Sequence, residues 1–276
     1  MKVAVILLCA FAAVQGRSVQ PFEEVSLVPW LVHLRTAKAA DGGLLGSCVG
    51  SVYNERWIIS SASCLRDSRF IWIRFNAPNV YQPELVIESN RVHLHPEYNA
   101  ETGENDIGLL DLNRDVVFSE TIQAISVAAI DAEAPTSGKV CGYGELENGN
   151  AGEQLQCIDV QLEESGDLLI GTAENKASRY DLGAALVADD QLFGVLVSPG
   201  NEENDGAFLK VTGYADWIAS VISPEESPEE VQVADPVEVA DIIQVADAIE
   251  VADPVEVVDV IIMPEPVQIA DNIVFY

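Results

Sequence analysis

Short runs of apolar or alternating apolar and polar residues recur along the middle of the chain, with turn residues between them. They are Trp30–Leu34, Arg56–Ser60, Phe70–Phe75, Ile107–Leu112, Gln156–Leu162, Leu182–Val187, Leu192–Val197 and Ala207–Val211. Many of these runs alternate with period two, and the rest are short and wholly apolar. That spacing predicts an all-β barrel or sandwich. One late segment breaks the pattern. Tyr214, Trp217, Ile218, Val221 and Ile222 fall at helical spacing, so a helix is expected over Tyr214–Ile222, ending before Pro224.

The two ends of the chain read differently. Met1–Gly16 carries one cation, Lys2, then the apolar run Val3–Val14, with small residues before a cleavage point. The run is too short to span a bilayer and predicts a cleaved secretory signal over residues 1–16. At the other end, six residues repeat from Glu230: Glu-Val-Gln-Val-Ala-Asp, Pro-Val-Glu-Val-Ala-Asp, Ile-Ile-Gln-Val-Ala-Asp, Ala-Ile-Glu-Val-Ala-Asp, Pro-Val-Glu-Val-Val-Asp. Val260–Glu265 is degenerate, and Pro266–Asp271 restores the pattern. Six is not a helical period, because the apolar stripe turns by about 120° each repeat. In extended form one face reads Val-Val-Asp. Pro236, Pro254, Pro264 and Pro266 interrupt ladder pairing. The Pro- and Glu-rich stretch after Ile222 marks a boundary, which gives three parts: residues 1–16, a body over 17–223, and an acidic, irregular repeat tail over 224–276. Three uses of the tail stand open: a disordered or extended solvated segment, strand addition to a partner or to other copies, and weak distributed calcium binding.

Charge sharpens this division. The chain has 276 residues, 14 Lys and Arg, 45 Asp and Glu, and a formal charge of −31. The tail holds 14 of the carboxylates and no cation, and Lys210 is the last basic residue. Such a balance excludes a simple nucleic-acid binder and argues against docking on anionic lipid. No later apolar run is long enough for a membrane helix, and no Asn-x-Ser/Thr sequon is present. The expected mature protein is therefore secreted and soluble.

An oxidising compartment changes the reading of the cysteines. Cys9 leaves with the signal, and Cys48, Cys64, Cys141 and Cys157 remain. Four cysteines allow three pairings, of which neighbour with neighbour is the simplest. Loops this short would each contribute about 3 kcal/mol. No CxxC or HxxxH spacing supports zinc, so no metal and no cofactor are expected.

Specific residues then resemble a family. Pro29-Trp30-Leu31-Val32-His33-Leu34 leads to Gly46-Ser47-Cys48-Val49-Gly50-Ser51-Val52, then to Trp57-Ile58-Ile59-Ser60-Ser61-Ala62-Ser63-Cys64. His95–Asn99 precedes Asn105-Asp106-Ile107-Gly108-Leu109-Leu110, and Gly142-Tyr143-Gly144, Gly206–Val211 and Tyr214–Ile218 follow in order. This order resembles the chymotrypsin-like serine peptidases across residues 25–222. The resemblance implies two orthogonal six-stranded β-barrels, a C-terminal helix and a cleft between the barrels.

The same alignment puts unusual residues at the chemical positions. The family's chemistry uses a serine nucleophile, a histidine base and an orienting carboxylate. Ser63 stands where the resemblance places the histidine, and Leu182 where it places the serine. The carboxylate is kept as Asp106. A hydroxyl does not titrate near neutral pH and an alkyl group is no nucleophile. The three histidines, His33, His93 and His95, match none of these positions. Tyr180 replaces a glycine of the oxyanion hole, where a side chain is expected to be costly in backbone conformation. Asp181 is kept, but Phe22–Pro29 lacks the Ile-Val-Gly-Gly terminus with which the family pairs it. Arg179 or Lys176 is the cation expected to take that terminus's place beside Asp181, and Lys176 also falls at the pocket-floor position.

The expected function is that of an inactive serine protease homologue that binds an unidentified protein partner, as an immune or protease-cascade modulator or an inhibitor decoy. A structural matrix component that self-associates through the tail is the alternative. A hydrolase using another nucleophile is the third reading.

Overall fold

In a computed structural model the described residues are 28–38, 45–172 and 176–223. The segment expected to be a signal, residues 1–16, and the hexad repeats lie outside them. Period-two burial builds the first sheet. In β1 (Leu31–Lys38), Val32, Leu34 and Thr36 point inward and are fully buried, while Arg35 and Ala37 point out and are half-buried. In β4 (Ser68–Phe75), Ile71, Ile73 and Phe75 point inward and Phe70, Trp72 and Arg74 outward. With β2 (Leu45–Val52), β3 (Trp57–Ser60), β5 (Leu85–Ser89), β6 (Arg91–Leu94) and β7 (Gly108–Asp111), the order is β5-β4-β1-β2-β3-β7-β6.

The second sheet contains β8 (Ser126–Val127), β9 (Ser137–Gly142), β10 (Gln156–Ser165), β11 (Leu168–Gly171), β12 (Ala185–Ala188), β13 (Gln191–Pro199) and β14 (Gly206–Lys210). Its order is β12-β9-β10-β11-β14-β13-β8, and β12 pairs with β13 to close it. All pairings are antiparallel except β8 with β13. The two-barrel chymotrypsin-like architecture is thus present, with one barrel closed by ladders and the other a half-barrel. Each sheet counts seven strands rather than the expected six. Asn90 divides one bent strand into β5 and β6, and the two-residue β8 joins the second sheet.

A third apolar cluster joins the barrels. Ile59, Ile107 and Leu109 from the first meet Ala185, Leu192, Val195, Leu209 and Val211 from the second. Helix α2 (Ala215–Ile222) adds Ile218, Trp217 and Val221 to that cluster, which uses the apolar stripe seen in the sequence. The four-residue helix α1 (Ala62–Leu65) was not anticipated, being too short to show a period. Leu182 was expected to open a strand, but the strand begins at Ala185, after a turn described below. The cysteines pair as neighbours: Cys48 with Cys64, and Cys141 with Cys157 across β9 and β10.

Phe75 is 1% exposed at the centre of the first barrel. Phe75→Ala should cost about 3–5 kcal/mol in urea unfolding monitored by tryptophan fluorescence. A cost below about 1 kcal/mol would show that this core is not packed as described.

Candidate functional site

Three short pieces of backbone meet where the barrels join: the β3–α1 corner, the segment before β7, and the turn before β12. The turn is wound as a single 3₁₀ turn, Arg179–Asp181. Ser178 caps it, since its Oγ accepts the Tyr180 N–H at 3.0 Å, while the Asp181 carboxylate accepts the Ser178 N–H at 3.3 Å. Leu182 follows the turn, and its carbonyl accepts the Val49 N–H of β2 at 2.9 Å. The half-buried Leu182 side chain packs on the apolar cluster of the second barrel. Gly183 is held at φ +88°, and its N–H donates to the Leu196 carbonyl at 2.8 Å. A Cβ there would collide with Ser60 Oγ and the Val49 carbonyl.

Asp181 is 7% exposed. Its carboxylate accepts the N–H groups of Tyr143 at 2.7 Å and Gly144 at 3.0 Å, besides that of Ser178. Burial pushes its pKa up, and these donors oppose the shift. Neither Arg179 nor Lys176 serves as its partner. Arg179 instead bonds Glu145 Oε1 at 3.0 Å, the Gly149 carbonyl at 2.9 Å and the Tyr180 hydroxyl at 3.1 Å. Tyr180 Oη also donates to the Gly149 carbonyl, at 2.8 Å. The turn and the loop over 145–151 are therefore clamped together. Lys176 is exposed.

The expected cost of a side chain at Tyr180 is absent. Tyr180 is not among the residues of positive φ. The 3₁₀ winding lets a tyrosine sit there without strain and turns its N–H back onto Ser178. The sequence carried a signal for this, the Ser178-x-x-Asp181 capping pattern, which the reading above passed over. The Arg179–Glu145 pair had no linear signal, being 34 residues apart.

At the β3–α1 corner, Asp106 accepts the Ser63 N–H at 2.6 Å, and Ser63 Oγ lies 3.3 Å from Ser61 Oγ. Asp106 is 3% exposed. Burial raises its pKa, and bonds from Ser63 and the Ala62 N–H, with the Arg66 charge, oppose the shift. The structure thus brings Ser63 and Asp106 into contact.

The histidines lie elsewhere. His33 is 2% exposed, its Nε2 is 2.9 Å from Ser47 Oγ, and its ring meets Tyr143 edge-on at 4.9 Å. Burial, then the charges of Arg74 and Arg35, lowers its pKa to about 3. His93 packs on Trp57, and His95 on Tyr214 and Trp217. Among the described residues no three His, Cys, Asp or Glu side chains form a metal-holding group, and no helix is long and apolar enough to cross a membrane.

The sequence model of the trypsin family matches residues 14–218. The chain belongs to the trypsin family. It is 30% identical to trypsin II-P29 of Gallus gallus over 199 residues, covering 64% of this chain and 79% of that one. It is 32% identical to a trypsin of Xenopus laevis over 200 residues, covering 64% and 81%. The solved structure of HL collagenase shares the fold, with a TM-score of 0.66 at 20% identity over 72% of this chain and 95% of that one. In this trypsin-family domain Ser63 and Asp106 meet at the β3–α1 corner, and Tyr180 and Leu182 belong to the turn before β12.

Two outcomes follow. Gly183→Ala should destabilise the domain by roughly 2–4 kcal/mol, because positive φ and a backbone collision coincide; a neutral effect in urea unfolding would contradict the turn's packing. His33 should make folding acid-sensitive. Its folded pKa lies below the unfolded value, so below about pH 6 the unfolded chain binds the proton and the folded chain does not. Stability should then fall by about 1.4 kcal/mol per pH unit towards pH 4. His33→Gln should flatten that slope by one proton, and an unchanged slope would show that His33 is not the group responsible.

Proposed function

We propose that the chain is a secreted, non-catalytic relative of the trypsins that acts by binding another protein. On this reading residues 17–223 are the folded module and residues 224–276 an acidic tail. Ser63, Asp106 and Leu182 occupy the positions of base, orienting acid and nucleophile.

The contact between Asp106 and Ser63 carries the reading. The buried carboxylate that would orient an imidazole accepts a serine N–H, and the adjoining side chain is a hydroxyl. Two further facts support it. Leu182 offers no lone pair at the nucleophile position. The Tyr180 N–H, which would be one of two donors to a developing oxyanion, is spent on Ser178 Oγ. Removing one member of a triad leaves residual catalysis from the oxyanion hole and binding. Here base, nucleophile and one donor are lost together. The two disulfides suit an extracellular compartment.

The full chain should not react with a fluorophosphonate probe and should not turn over peptide esters. Ser63→His with Leu182→Ser should stay at least ~100-fold less active than the same pair combined with Tyr180→Gly, since only the glycine frees the donor for the oxyanion. Probe labelling of the unaltered chain that one Ser→Ala substitution abolishes would overturn the proposal.

A further inference from the structure

The outer face of the first barrel is chemically unlike the rest of the surface. Across β2, β1, β4 and β5 the register sets three rows. Leu45, Ala37 and Phe70 form one, Ser47, Arg35, Trp72 and Glu88 the next, and Val49, His33, Arg74 and Val86 the third. All point away from the core of the first barrel, but Ser47, Val49 and His33 are buried, the last two against the second barrel, so the surface proper is formed by Leu45, Ala37, Phe70, Arg35, Trp72, Glu88, Arg74 and Val86. Eight large apolar side chains stand exposed among the described residues, and three of them, Leu45 at 43%, Phe70 at 44% and Val86 at 44%, are on this face. A fourth, Tyr81 at 70%, lies in the loop joining β4 to β5, close enough to act electrostatically on Arg74. The Phe70 and Trp72 rings lie side by side, tilted by 30° with centroids 6.4 Å apart.

Two guanidiniums stand among these apolar groups. Arg35 and Arg74 are diagonal neighbours on adjacent strands, each half-buried. Their charges oppose one another: Arg35 lowers the Arg74 pKa, next after burial itself. Neither has a carboxylate within ion-pair distance among the described residues, whereas Arg56, Arg91, Arg179 and Lys210 each have one. Glu88 is the one carboxylate in these three rows. A face with this chemistry is complementary to a ligand that brings anions and apolar side chains together.

The chain itself contains that chemistry. Its repeats place Val and Asp at alternate positions, as in Val255, Val257 and Asp259, with no cation after Lys210. One extended hexad spans roughly 20 Å, against ~13 Å from Phe70 to Arg74 along β4. We infer that the outer face formed by Arg35, Phe70, Trp72, Arg74 and Val86 docks the acidic hexad segment, residues 230–271, of a second copy of this chain. The valines cover the aromatic and apolar side chains, and the aspartates meet the two arginines. This inference rests on the reading that the protein acts by binding, and it names the partner. The contact joins two different surfaces, tail to face, and each copy offers one of each.

Sedimentation velocity on the full chain tests it. Self-association should rise with concentration and weaken on going from 50 to 500 mM salt, because the contact is partly ionic. Arg35→Glu with Arg74→Glu should weaken it at least tenfold. Arg35→Gln with Arg74→Gln, a milder pair checked for native circular dichroism, should show a smaller effect in the same direction. A synthetic peptide of residues 230–259 should dissolve the assemblies, and its fully amidated Asn/Gln counterpart should not. A chain that stays monomeric at every concentration overturns the inference. So do assemblies indifferent to both arginine pairs, the expected result if the repeats pair only with each other, and assemblies dispersed equally by the amidated peptide. The fluorophosphonate assay is independent of these outcomes, so failure here leaves the non-catalytic reading standing, and labelling there leaves the docking face testable.

Discussion

A buried carboxylate must collect partners, and Asp181, which has no cation beside it among the described residues, organises the interior of the site by collecting N–H donors. Its oxygens gather the amides of Tyr143, Gly144 and Ser178. Tyr143 is anchored in turn by its hydroxyl on the Ala77 carbonyl, and it supplies the ring against which His33 is buried. One carboxylate therefore sets the 3₁₀ turn, the end of β9 and the approach of the first barrel. Gly142 follows from the same constraint, because a Cβ there would run into the Asp181 side chain.

The turn that results is closed by its own hydrogen bonds, from the Tyr180 N–H to Ser178 Oγ and from the Ser178 N–H to the Asp181 carboxylate. Active-site turns commonly hold strained backbone, with donors pointed at a ligand. Here the left-handed position falls on Gly183, which takes it without strain, and β2 and Ser60 leave no room for a side chain. The N–H groups of Tyr180, Asp181 and Gly183, however, are satisfied inside the protein. Tyr180 and Arg179 extend the same logic outward by bonding the loop over 145–151. The turn is in this way a junction between loops.

Much of this was legible in the residues. Val32, Leu34, Ile71 and Ile73 alternate with polar or exposed neighbours, so their strands could be read from period two alone. The helix Ala215–Ile222 showed its stripe through Trp217, Ile218 and Val221. Leu182 misled because Leu-Gly-Ala-Ala-Leu-Val is apolar whether it turns or extends, and only Asp181 and Gly183 reveal the turn. The Arg179–Glu145 clamp and the placement of His33 beneath Tyr143 depend on contacts between residues 34 and 110 positions apart. No local pattern encodes such contacts. The arginine-bearing outer face was invisible for the same reason: Arg35 and Arg74 become neighbours only when β1 pairs with β4.

The two disulfides share one property. Cys48–Cys64 lies wholly within the first barrel and Cys141–Cys157 wholly within the second. Apart from the main chain, no covalent bond among the described residues crosses the seam. The connector passes through Val117, which is 88% exposed. A single cut there would leave two separately stapled halves, held together by non-covalent contacts such as the Ile59, Leu109, Val195 and Leu209 packing and the Val49–Leu182 and Tyr143–Ala77 hydrogen bonds. The domain is in that sense a heterodimer written as one polypeptide, and its halves are natural candidates for a split-protein pair.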